Sequence, residues 1–240
     1  GIRSKSGLNL KEAVVRQVVA NEQKPNVRFI GKGVIIPQST QLSVPFQAIY
    51  LRGVTVSVIK ILEQNIGQFL QSNNLDESGE LMRVGRLIAR KTIFLDEEGL
   101  DLSRWNTFAI DLKRLIEPEP GAIYRLELSF DRSLSVYPCG NDTVVLSKEQ
   151  ILASDEIRFK EESARFDEGG YYYYRQYDWS DYNWEKRDDP CSDSYYFNKV
   201  EGKNVLATNL GLVALMGQDN DMTVLVHNIQ STEPERGVTV

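Results

Sequence analysis

The stretch Gln41-Leu42-Ser43-Val44-Pro45-Phe46-Gln47-Ala48 decides the fold. Leu42, Val44, Phe46 and Ala48 fall on one face, the period-two signature of a strand half buried against a core. Pro45 has no N–H to give to a ladder, so the strand is expected at an edge or with a bulge.

The same pattern extends outward in both directions. Val27 to Ile30 precedes it, and Gly53 opens the β-branched run Val54-Thr55-Val56-Ser57-Val58. Residues 121–130 place Tyr124, Leu126, Leu128 and Phe130 on one face and Ile123 on the other. Leu87 to Leu95, Thr107 to Leu112, Leu210 to Met216 and Met222 to Asn228 are further strands. Short strands this frequent, divided by turns, predict a sandwich rather than a parallel α/β sheet. The expected class is all-β: an immunoglobulin-like antiparallel β-sandwich with short helices and part of a second β domain. Helix signals are few. Ile66, Phe69 and Leu70 have helical spacing within Glu63 to Leu70, and Lys148 to Leu152 suits one further turn.

With 240 residues, 41% hydrophobic and 26% charged, the chain can bury a sizeable core and is not of disordered composition. Apolar runs such as Val34-Ile35-Ile36 fall far short of the roughly 20 residues that a membrane helix needs. A net charge of −6 argues against a general nucleic-acid binder. The charge is divided unevenly: residues 1–140 carry 18 basic and 15 acidic side chains, and residues 141–240 carry 10 and 19.

The acidic part is also aromatic. Eight of the 11 tyrosines lie between Tyr171 and Tyr196. Tyr171, Tyr172, Tyr173, Tyr174, Tyr177, Trp179, Tyr182 and Trp184 form a candidate interaction cluster. It reads as a satellite that packs on the sandwich and fixes how two domains meet, with sugar stacking as the sharper alternative. Clustered Asp side chains suggest calcium, but the Asp-x-Asp-x-Asp-Gly loop is absent.

Other signals for chemistry are weak. His227, the single histidine, alternates with core positions and no Gly-x-Ser-x-Gly elbow accompanies it, so a structural role is expected. Gly31-Lys32-Gly33 lacks phosphate-loop spacing and reads as a turn. Asp188 and Asp189 are adjacent, so on an extended chain they point to opposite faces and suit shared acid-base work poorly. No cofactor or metal site is expected. Cys139 and Cys191 each follow a proline at an edge of the aromatic stretch. In an exported chain such a pair forms a disulfide, and two buried thiols are the alternative. The absence of Met at residue 1, together with an ending at Arg236 to Val240 that reads as a turn entering a strand, predicts a piece of a longer chain.

Several segments resemble the macroglobulin-like domains of bacterial alpha-2-macroglobulin-type envelope proteins. They are Pro25 to Pro37 with Leu42 to Phe46, Val54 to Ile61, Asn65 to Leu70 and Arg83 to Arg86. Asp101 to Trp105, Gly121 to Arg125 and Asn204 to Leu212 continue the resemblance. It implies a lead-in strand over 1–24, a macroglobulin-like sandwich over 25–140, an acidic Tyr-rich connector over 141–203 and the start of a second such domain over 204–240. It further implies a noncatalytic scaffold within a protease trap of the periplasm or cell surface. Its partners would be neighbouring domains of the parent chain and, through the whole protein, target proteases. The export implied agrees with a Cys139–Cys191 disulfide. In many such proteins a Cys-Gly-Glu-Gln thioester reacts with the protease. Cys139-Gly140-Asn141-Asp142 matches only its first two positions, and Asp142 supplies no Gln carboxamide.

Overall fold

The computed structural model describes residues 5–7, 22–31, 33, 35–36, 42–97, 99–140, 146–167, 182–219 and 221–238. In chain order the elements are β1 (Asn26–Phe29), β2 (Ile35–Ile36), β3 (Ser43–Ile49), β4 (Gly53–Ile61), α1 (Ile66–Ser72), α2 (Leu81–Val84), β5 (Gly85–Phe94), β6 (Asn106–Asp111), β7 (Ile123–Ser129), α3 (Lys148–Asp167), α4 (Asp193–Tyr196), β8 (Val200–Ala207), β9 (Leu210–Met216) and β10 (Met222–Asn228).

Two sheets build the sandwich, one ordered β1-β3-β6 and the other β2-β8-β7-β4-β5. All neighbours are antiparallel except β2 and β8. Alternation sends Val27, Val44, Phe46, Ala48 and Ile110 of the smaller sheet inward. They meet Val54, Val56, Val58, Tyr124, Leu126, Leu128, Val205 and Ala207 of the larger one in a single core. Each fully buried aliphatic side chain among them contributes about 1.5–3 kcal/mol. β4 is covered on both faces, because the core lies on one side and helices on the other. On that second side Ile61 and Ile123 pack with Phe69 and Val84, and Ile59 and Leu87 pack with Phe166 of α3.

Three expectations are corrected. Pro45 lies in β3, which is central in its sheet rather than at an edge. Its carbonyl still accepts from Ile30 N–H at 3.0 Å, and the carbonyl of Ile30, which an N–H at position 45 would have reached, accepts instead from Lys203 Nζ at 3.2 Å. A side chain from the opposite sheet supplies the missing donor. Second, the single turn expected at Lys148 to Leu152 is the start of a 20-residue helix. It buries little beyond Ile151, Asp155 and Phe166, so an apolar stripe scarcely marks it. Third, the β pattern expected to resume at Asn204 already does so at Val200, where β8 begins and pairs with β7 up to Leu206. The β9–β10 hairpin forms a sheet of its own. Among the described residues, no helix is long and apolar enough to cross a membrane.

Candidate functional site

The face of the larger sheet turned away from the core is polar, since β4 and β7 place Thr55, Ser57, Arg125 and Glu127 between their apolar residues. α3 crosses this face. Its N-terminus is set by a capping box: Gln150 N–H donates to Ser147 Oγ at 3.2 Å, and Ser147 N–H donates to Gln150 Oε1 at 2.9 Å. A cavity of about 190 Å³ lies in the region, walled by Ser57, Arg90, Glu127, Asp131, Arg158 and Lys199.

Arg90 organises the seam. Its Nη1 donates to both carboxylate oxygens of Glu162 at 3.2 and 3.1 Å and to Ser57 Oγ at 3.3 Å. Its Nε stands 3.7 Å from Asp155 Oδ1, with both side chains less than a tenth exposed. That Nε is the one buried side-chain nitrogen or oxygen among the described residues without a hydrogen bond. Asp155 Oδ2 accepts the backbone N–H of Thr92 at 2.7 Å, and the Thr55 and Thr92 hydroxyls are 2.9 Å apart. Removing one partner of such a buried pair leaves an uncompensated charge, which costs about 3–5 kcal/mol. Ser57 Oγ faces a guanidinium rather than a base, so these contacts do not activate it as a nucleophile.

A second charged group sits on β7. Arg125 spans Glu127 at 3.2 Å and Asn204 Oδ1 at 3.3 Å. Its guanidinium covers Gly202 so closely that a Cβ there would lie 1.9 Å from Nη2. Asn204 Nδ2 in turn donates to the carbonyls of Leu75 and Glu77 at 2.8 and 2.7 Å, which ties that loop to β8.

Cys139 and Cys191 are joined by a disulfide. Around it Tyr195 and Tyr196 enter the main core, with Phe130 edge-on to Tyr196 at 6.0 Å. Tyr195 Oη donates to the Pro25 carbonyl at 2.8 Å and Tyr196 Oη to that of Pro190 at 2.7 Å. Burial pushes the Tyr195 phenol up to about 12, and burial raises that of Tyr196 as well. Tyr137 rises to about 12 because its hydroxyl donates to the Glu22 carboxylate. Desolvation holds the Lys203 ammonium below its usual range.

Of the interaction cluster, Tyr171, Tyr172, Tyr173, Tyr174, Tyr177 and Trp179 lie outside the described residues. Tyr182 packs on Phe197 at 4.9 Å and stands edge-on to Trp184 at 6.5 Å. Trp184 is 67% exposed, with the Arg187 guanidinium 4.2 Å above its ring. Asp189 Oδ1 accepts Cys191 N–H at 2.9 Å and Asp188 pairs with Arg187 at 3.7 Å. The two carboxylates thus serve separate partners. His227 belongs to β10 opposite Gly211, and its ring lies where a Cβ on Gly211 would be. Arg90, Asp155 and Lys203 carry no mark in the sequence, because burial of a lone charge depends on partners far along the chain. The Ser147 to Gln150 capping box was a legible signal for α3.

No protein-family model matches the chain. No curated protein matches it either. Among solved structures it is similar to native alpha-2-macroglobulin from Escherichia coli. A crystal structure spanning domains NIE-MG1 aligns at 12% identity and TM-score 0.47, over 90% of this chain and 75% of that one. A second, spanning MG0-NIE-MG1, aligns at 11% identity and TM-score 0.48, over 98% of this chain and 55% of that one. A cryo-EM reconstruction of the native conformation aligns at 12% identity and TM-score 0.38, over 53% of this chain and 8% of that one.

Proposed function

We propose that this chain is a noncatalytic scaffold of an alpha-2-macroglobulin-type protease trap of the bacterial envelope. It supplies one macroglobulin-like sandwich and, in β9 and β10, the opening of a second. One observation carries the reading. Leu212, Leu215, Met216, Met222 and Leu225 are each more than half exposed, and they lie on both faces of the hairpin. A strand pair of that composition is built to be covered by further strands on both sides. The strand segments named above and a disulfide suited to an oxidising compartment support the same reading.

The test uses the full-length protein that contains this chain. Incubated with trypsin and passed over a sizing column, it should retain the protease, which then cleaves small peptides but not large proteins. Protease eluting free, with undiminished action on protein substrates, would overturn the proposal. The 240-residue chain alone should leave trypsin unaffected. Trp184→Ala should change no glycan binding, and saturable binding lost in that variant would favour the sugar-stacking alternative.

A further inference from the structure

β5 is the last strand of the larger sheet, and among the described residues no strand pairs with its outer edge. The Thr92 N–H turns away from β4 and donates to Asp155 of α3. By the alternation of antiparallel ladders the backbone of Arg90 turns the same way. An edge with free backbone groups is a template for another strand. α3 packs along β5 on the sheet face, and its Asp155 side chain reaches round to take this edge donor.

Ion pairs line the attachment. Asp155, Glu162 and Asp167 of α3 face Arg90 and Arg86 of β5, while Lys148 pairs with Asp96 and Arg158 with Asp131. Apolar anchoring comes from Ile151 near one end of the helix, Phe166 near the other and the partly buried Phe159 between them. Around Arg90 the packing is incomplete, as its unbonded Nε and the neighbouring cavity record. The Cys139–Cys191 bond closes the segment that carries α3 into a covalent loop.

We propose that α3 is an internal competitor for the β5 edge, and that this edge docks an extended acidic segment of a partner polypeptide. The segment's backbone carbonyl would accept the Thr92 N–H, and its carboxylates would take Arg86 and Arg90. These are the interactions that α3 now satisfies. Charge complementarity to β5 selects an acidic strand over a basic one.

The experiment uses a labelled peptide of about ten alternating Glu and Val residues, the length of a long strand, with a Lys-Val peptide as control. It is titrated by fluorescence anisotropy against the wild-type chain and against Asp155→Ala/Glu162→Ala, while amide exchange is followed in β4, β5 and β7. In the variant the Thr92 amide should exchange faster while β4 and β7 stay protected. The acidic peptide should bind it about tenfold more tightly than wild type, restore Thr92 protection and be displaced by salt. Equal affinity for both chains, preference for the Lys-Val peptide, or unchanged Thr92 exchange would overturn the proposal. If the variant does not fold, Glu162→Gln alone, which leaves the Asp155 bond to Thr92 in place, is titrated instead. It should bind the acidic peptide more tightly than wild type does, and equal affinity would overturn the proposal.

Discussion

At the scale of single residues, the core depends on a few polar contacts that join distant parts of the chain. Lys203 Nζ donates to the carbonyls of Ile30 and Gly31, standing in for the N–H that Pro45 lacks. Lys203→Met should therefore cost about 1–3 kcal/mol in urea unfolding. Pro45→Ala returns a backbone donor at the same place and should recover part of that loss, with a coupling of at least about 0.5 kcal/mol in the double-mutant cycle. Strict additivity would show that the two groups do not share an acceptor. Tyr195 offers a test by pH. Its phenol titrates near 12 when folded and near 10 when unfolded, so the native state holds the proton more tightly. Its contribution is complete below pH 10 and is lost as pH rises through 12. The urea midpoint of Tyr195→Phe should fall less steeply over that window than that of the wild type, and parallel curves would contradict this.

At the scale of elements, legibility followed periodicity. β9 and β10 occupy the residues that alternation assigned them, and β3 to β7 shift by only a few positions, because apolar side chains repeat every second residue with turns between. β8 broke the pattern. Lys203 faces the same side as Val205 and Ala207, so an inward charge interrupts the apolar face and hides the strand. α3 was hidden differently: it is held by ion pairs, and charge at helical spacing looks like a solvated surface. Its capping box is testable alone. Ser147→Ala should cost about 1 kcal/mol and speed amide exchange in the first turn of α3 more than in β7. Uniform acceleration would mean that the cap stabilises the whole fold rather than the helix.

At the scale of the whole molecule, one sandwich ends at β8 and a hairpin with exposed apolar faces follows. Neither β9 nor β10 pairs with the two sheets. A chain ending after Thr208 should thus unfold cooperatively within a few degrees of the 240-residue protein, because surface changes away from core contacts shift stability by only about 0.5 kcal/mol. It should also bind less of a dye that reports exposed apolar surface. Broad, noncooperative melting would show that the hairpin supports the sandwich. The candidate site was the least legible level, since Arg90, Asp155, Glu162 and Thr92 converge only after β5 and α3 have packed.

The Cys139–Cys191 bond makes residues 139–191 a covalent ring. A single peptide-bond cut inside that ring opens it but does not divide the protein, because the two products remain joined through sulfur. Such a nicked chain would migrate as one species until thiol reductant is added and as two afterwards. A single cut outside the ring would release a separate piece at once.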